Sequence, residues 1–229
     1  MNLAERAEKI HQRLLVDYGQ PIWRNPLPPV DELVSTILSQ NTNDVNRDRA
    51  FESLRLRFPS WEEVRDAEPD QVIEAIRTAG LANQKGPRIQ EALRSISDED
   101  GKISLDFLSE YSPEEVRHKL VSFKGVGPKT AAIVMLFSLG MPAFPVDTHV
   151  YRVTGRLGLR PEKMNVERAH EHLEGLFLPE TYYALHLNII RLGREVCHAR
   201  QPNCSLCPLT GLCDYYAKLT ENDPGEISR

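Results

Sequence analysis

"FKGVGPKTAA", residues 123–132, sets a glycine–valine–glycine turn and a proline in front of an apolar run. Before it, "SPEEVRHKLVSF" (112–123) has helical apolar spacing and opens on a capping box, with Pro113 at the first helical position. After it, "PKTAAIVMLFSLG" (128–140) resumes a helical pattern, so "KGVG" is a turn between two helices. Gly125 and Gly127 are expected to permit positive φ and to leave backbone N–H groups facing outward. Those groups, with the second helix's N-terminus behind them, suit a phosphate. A Gly125–Val126–Gly127 hairpin can therefore grip a nucleic-acid backbone whatever its sequence. The same spacing also serves a hairpin whose glycines only pack.

Lys129 stands in the first turn of the second helix, where the helix dipole disfavours a cation by some tenths of a kcal/mol. A free lysine near pKa 10.4 is neutral in only about one molecule in a thousand at neutral pH. A helix N-terminus and partial burial both raise that fraction, and a neutral amine is what a nucleophile requires. A lone lysine equally suits a phosphate contact, so a partner is needed. "FPVDTHVYRVTGRLG" (144–158) supplies Asp147, which reads as the N-cap of a new helix. The helix from Pro128 to Gly140 climbs roughly 18 Å, and the residues from there to Asp147 can reach back up to roughly 25 Å. The two groups can thus meet.

Working outward, "DVNRDRAFESLRLRF", "PDQVIEAIRTAG" and "NVERAHEHLEGLF" repeat apolar residues at three and four, and alternating strand patterns are hard to find. "SWEE" (60–63) is a second capping box. The chain is expected to be all-α. "GQPIWRNPLPP" (19–29), "QNTND" (40–44) and "SDEDGKIS" (97–104) break it, with a domain seam in the first of these and another after the 128–140 helix. No apolar run approaches the roughly 18 to 20 residues of a membrane span, and "MNLAERAEKIHQRLL" lacks a signal-peptide apolar block, so a soluble intracellular protein is expected. The formal charge of −5 advertises no nucleic-acid partner, so any such footprint must be local.

All four cysteines lie between 197 and 213, which points to a metal or cluster site rather than to scattered disulfides. Cys197, Cys204, Cys207 and Cys213 follow C-x6-C-x2-C-x5-C. Four thiolates can hold a [4Fe-4S] cube or a tetrahedral zinc ion. Arg152, Arg156, Arg194 and Arg200 could face phosphates, though each alone reads as a solvated charge. Thr42, Asn43 and Asp44 could line a pocket, and Asp44 reads as well as an N-cap.

"GVGPKTA" followed by "PVDTH" resembles the helix–hairpin–helix DNA glycosylases, in particular the endonuclease III branch, and the cysteine spacing is similar to that branch's iron–sulfur loop. The resemblance covers nearly the whole chain. It implies a two-domain fold: a six-helix barrel over 22–135 ending in the hairpin, a discontinuous helical domain of 1–21 and 136–229 with the [4Fe-4S] loop, and a DNA cleft between them. It implies Lys129 as the amine that attacks C1′ and Asp147 as the essential carboxylate. DNA contacts would come from Gly125, Val126, Gly127 and His149. "ILSQNTNDV" and "AGLANQKG" resemble the loops that carry the wedge residues, here Leu81 and either Gln40 or Asn41. "SQNT" followed by aspartate is also similar to the plant 5-methylcytosine glycosylases. The implied activity is removal of damaged bases, first of all oxidised pyrimidines, with strand nicking by β-elimination. The implied partner is double-stranded DNA carrying damaged bases or abasic sites, met by a monomer in the cytoplasm, at the nucleoid if the source is prokaryotic. An AP-site lyase with little base excision and a non-catalytic iron–sulfur DNA-binding module are the alternatives.

Overall fold

The computed structural model describes residues 1–22 and 25–222; Trp23 and Arg24 of the proline-rich connector, and residues 223–229 of the expected second domain, lie outside the described residues. The fold is all-α, with no strand among the described residues beyond a single bridge between Ser97 and Ile103. In chain order the helices are α1 (Leu3–Tyr18), α2 (Pro29–Ser39), α3 (Asp44–Arg57), α4 (Trp61–Asp66), α5 (Pro69–Ala75), α6 (Ala82–Ile96), α7 (Pro113–Ser122), α8 (Pro128–Ile133), α9 (Thr148–Arg156), α10 (Val166–Leu176), α11 (Tyr182–Glu195) and α12 (Asp214–Asn222). They form two compact units, Asn25–Met141 and a discontinuous one made of Met1–Arg24 with Pro142–Arg229. No helix of the described residues is long and apolar enough to cross a membrane.

In the continuous unit α2 buries Leu33, Val34, Ile37 and Leu38 and packs on α3, α6 and α8. Of the apolar spacing expected over α3, only Ala50 and Leu54 are buried, while Val45 and Leu56 face outward. α6 buries Ile89, Leu93 and Ile96 and meets α5 closely at Gly86, where an added Cβ would stand 2.9 Å from Ile73 Cγ1. The Ser112 box closes in both directions, with the Ser112 N–H donating to Glu115 Oε2 at 2.9 Å and the Glu115 N–H to Ser112 Oγ at 3.4 Å. At Ser60 only half of the box forms: its hydroxyl accepts the Glu63 N–H, while Glu63 meets the hydroxyl and not the backbone. Asn43, not Asp44, caps α3, because its carboxamide oxygen is the one that reaches the Asn46 N–H at 2.9 Å. Beyond Ile133 the α8 helix widens into a π-helix over Val134–Ser138, in which the Leu139 N–H donates to Val134 O. Apolar periodicity predicts a plain α-helix there and cannot register the extra residue per turn.

In the discontinuous unit α11 packs on both α9 and α1. Phe144 is fully buried, with Phe177, Tyr182 and His186 at ring-centroid distances of 4.9, 5.5 and 6.2 Å. Burying such a side chain is worth roughly 1.5–3 kcal/mol. His186 Nδ1 lies 3.0 Å from Pro145 O, and Ala143 and Val146 are also buried, so the segment entering α9 is held along its length. This segment delivers Asp147.

Candidate nucleic-acid interface and cluster site

The hairpin comes from α7, the turn 123–127 and α8. Gly125 has φ of +85°, so the backbone asks for glycine there, while an added Cβ would only touch Arg88 Cγ at 3.4 Å. Gly127 differs from expectation: it is the extended N-cap of α8, with φ −94° and ψ 174°, and nothing lies within 4 Å of an added Cβ. Only Gly125 uses positive φ. Val126 is buried and its N–H donates to Phe123 O, which spends that amide inside the turn. The first N–H groups of α8 have no intrahelical acceptor. Lys129 lies among them, half-buried, and makes no hydrogen bond or ion pair with the described residues.

α6 is the spine that links this hairpin to the two expected wedge loops. The Lys124 N–H donates to Ser95 Oγ, and Lys124 Nζ pairs with Glu91 at 2.6 Å. One turn nearer the N-terminus Arg88 touches the Gly125 position with its stem and donates from Nη1 to Gln40 Oε1 at 2.8 Å. Gln40, Asn41, Leu81, Gln84, Lys85 and Arg88 line one cavity of about 290 Å³. Two of these residues hold left-handed backbone without being glycine: Asn41 at φ +52° and Leu81 at φ +50°. Such a conformation costs about 1–2 kcal/mol for an L-residue and persists where the surroundings over-determine it. Leu81 is nevertheless 48% exposed, so burial does not repay the strain. Asn41 is exposed too, and its carboxamide makes no hydrogen bond with the described residues.

Lys85 was missed by sequence reasoning, although its position signalled it. It shares the apolar stripe of α6 with Ile89 and Leu93 at intervals of four, and the structure buries it to 3% exposure. Its ammonium donates to Leu38 O at 2.8 Å, Ala79 O at 2.8 Å and Thr42 Oγ1 at 2.7 Å. Burial, with no carboxylate to oppose it, pushes its pKa below the ordinary lysine value.

In the discontinuous unit Asp147 caps α9, its Oδ1 accepting the Val150 N–H at 2.7 Å. Its second oxygen has no hydrogen-bond partner among the described residues. His149, two residues on in the first turn of α9, is half-buried, and Arg152 Nη2 lies 3.0 Å from its Nδ1. Desolvation lowers the His149 pKa first; Asp147 opposes that and Arg152 reinforces it. Arg152 also donates to Gly193 O at 2.8 Å and Cys197 O at 3.0 Å, so it ties α9 to α11 and to the first cysteine. Arg156 donates to Cys197 Sγ at 3.2 Å, His198 O and Ala199 O, with its guanidinium over Tyr215. The expectation of solvated charges fails for both arginines, since carbonyls of the cysteine segment converge on them.

All four cysteines are free thiols lining one cavity with Arg156, Tyr215 and Tyr216. Burial raises the pKa of Cys204, Cys207 and Cys213, with neighbouring thiols adding to it, and Cys207 is pushed up to about 11. Four half-buried sulfurs lining one cavity would ionise readily only around a cationic centre, and they fit an iron–sulfur group.

Comparison with known proteins agrees. The profile of the HhH-GPD superfamily base excision DNA repair proteins matches residues 34–179, and that of the iron–sulfur binding domain of endonuclease III matches residues 197–213. An Arabidopsis thaliana protein named as a candidate DNA glycosylase is 36% identical over 194 residues, covering 81% of this chain and 66% of its own length. Endonuclease III of Sulfolobus acidocaldarius is 32% identical over 192 residues, 83% of either chain. Two solved endonuclease III–DNA complexes, one non-covalent and one trapped as a covalent intermediate, match with a TM-score of 0.81 at 25% identity, over 96% of this chain and 100% of theirs. The chain belongs to the endonuclease III family, within the HhH-GPD superfamily of base excision DNA repair proteins.

Proposed function

We propose that Lys129 is the nucleophile and Asp147 the assisting carboxylate of a DNA glycosylase with AP lyase activity, acting on duplex DNA with oxidised pyrimidines as its first substrate class. The observation that carries the lysine's role is its state: half-buried in the first turn of α8, behind the open face at Gly127, with its ammonium committed to no partner. The glycosidic carbon is hidden in a duplex, so the nucleotide must be flipped out, at a cost of a few kcal/mol in unstacking. Phosphates held at the hairpin and a side chain in the vacated space offset that cost. Asn41 is the better wedge beside Leu81, since Gln40 is already tied to Arg88.

The neutral Lys129 amine attacks C1′ as the bond to the base breaks, and the base leaves with the bonding electrons and a proton. Asp147 stabilises the positive charge that develops on the sugar and manages protons through its uncommitted oxygen. The resulting Schiff base acidifies the C2′ proton; its removal expels the 3′ phosphate and nicks the strand. The [4Fe-4S] cluster is held by Cys197, Cys204, Cys207 and Cys213 and supplies structure, because no electrons are exchanged in this chemistry. The enzyme would act as a monomer, at the nucleoid if the source is prokaryotic.

Borohydride trapping tests the reading across duplexes carrying an oxidised pyrimidine, 5-methylcytosine or an abasic site. The expected result is a covalent protein–DNA adduct on a damaged-base duplex that disappears in Lys129→Ala while DNA binding remains. Adducts on abasic DNA alone would replace the glycosylase by an AP-site lyase. Binding without adducts on any duplex would leave a DNA-binding module.

A further inference from the structure

We propose that Lys85 is a positioning residue: its buried ammonium, with the Thr42 hydroxyl, locks the 38–42 and 79–81 loops into one jaw, so that Asn41 and Leu81 enter a duplex together. The proposal rests on the wedge reading of these two residues given above.

An ammonium has three donors, and Lys85 directs all of them to the loops. One goes to Leu38 O, in the last turn of α2, where carbonyls lack intrahelical partners and the helix dipole is negative. Another goes to Ala79 O, the carbonyl just ahead of Gly80 and Leu81. The third goes to Thr42 Oγ1, which itself donates to Ala79 O. Lysine, threonine and carbonyl thus close a triangle across two segments far apart in sequence. On one side it fixes the residue after Asn41, and on the other the residue two before Leu81. Left-handed backbone at both tips persists only where something holds it; Arg88 braces Gln40 on one side and the first turn of α6 braces Leu81 on the other, and the triangle is the contact that joins the two. The core does not need a cation here: an apolar side chain on the Ile89 and Leu93 stripe would pack more easily than a buried charge without a carboxylate.

The joint can be tested without relying on Lys85 alone, since Lys85→Met leaves carbonyls unpaired and could fail to fold. Thr42→Val removes the hydroxyl at nearly constant volume, and Thr42→Ser restores it. In Thr42→Val, base release from a duplex with a paired lesion should fall about tenfold further than cleavage of a preformed abasic site, where no base has to be extruded. Thr42→Ser should recover most of that gap. Amide hydrogen exchange on the free protein should rise together at 38–42 and 79–82 in Thr42→Val and Lys85→Met, with the rest of α6 unchanged. Parallel loss of both reactions, or exchange that rises in only one loop, overturns the proposal. A wild-type protein that forms no borohydride adduct would sink the catalytic reading, and the exchange data would still decide whether Lys85 joins the loops.

Discussion

The carboxylate of Asp147 uses one oxygen to accept the Val150 N–H and leaves the other without a partner among the described residues, so its structural and chemical duties can be separated. Asparagine caps a helix about as well as aspartate, whereas alanine at such a site costs about 1 kcal/mol. In urea titrations Asp147→Asn is therefore expected to keep the wild-type unfolding free energy within about 0.5 kcal/mol, and Asp147→Ala to lose about 1 kcal/mol. Both should lose base release by about a hundredfold or more in single-turnover assays, because neither offers a carboxylate. Equal activity in Asp147→Asn would reduce the residue to its cap. His11 carries a prediction of another kind. Its Nδ1 is buried with no hydrogen-bond partner among the described residues, and desolvation holds its pKa below the ordinary 6.5, with Glu8 opposing. As pH falls below 6.5 the unfolded chain takes up this proton first, so the neutral imidazole's contribution, complete above that pH, is lost on acidification toward the folded pKa. Urea midpoints measured from about pH 7.5 down to about 5.5 should decline, and the decline should be shallower in His11→Leu.

At the scale of the hairpin, the two glycines answer different demands. Alanine at position 125 must adopt φ near +85° against Arg88, which costs about 1–2 kcal/mol. Alanine at 127 meets nothing within 4 Å on an extended backbone, so its cost stays below about 1 kcal/mol, yet its methyl stands where a phosphate would approach the α8 N-terminus. Gly127→Ala should keep its thermal stability and lose DNA affinity several-fold, while Gly125→Ala loses stability first; unchanged affinity in Gly127→Ala would remove the hairpin from the DNA contacts. This contrast marks where sequence reasoning ends. The helix–turn–helix of 112–133, the Ser112 box and the Asp147 cap were legible because each is settled by neighbours within a turn. Which glycine needs positive φ was not, since the competing chains of hydrogen bonds in a short turn leave no compositional trace. The farthest partners of Lys85 and Arg152, Leu38 and Cys197, lie 47 and 45 residues away, and no local pattern names them. What the pattern does give is the anomaly itself, a lysine on the stripe of Ile89 and Leu93, and an ammonium held on an apolar stripe has to find acceptors inside the fold.

Across the whole molecule, the first helix meets the segment around the last cysteine within the discontinuous unit. Arg6 of α1 donates to Leu212 O from Nε at 3.1 Å and from Nη2 at 2.7 Å, and pairs with Asp214. Leu212 and Asp214 flank Cys213, the last of the four cysteines, while Arg156 of α9 holds Cys197, the first. The cluster loop is thus clamped at both ends by helices that pack on α11 or its neighbours, and α1 contributes to the cofactor site without supplying a ligand. If the loop opens from its Cys213 end, releasing iron breaks the Arg6 contacts. Their net worth is about 1 kcal/mol, which corresponds to about fivefold in the population of the open loop. Arg6→Met, which keeps the side-chain stem, is expected to lose its visible absorption to an iron chelator about fivefold faster than wild type. Arg13→Met removes an exposed pair with Asp17 on the same helix and should lose iron at the wild-type rate. Identical bleaching in Arg6→Met would mean that the loop opens from its Cys197 end, leaving Arg156 as the clamp that governs retention.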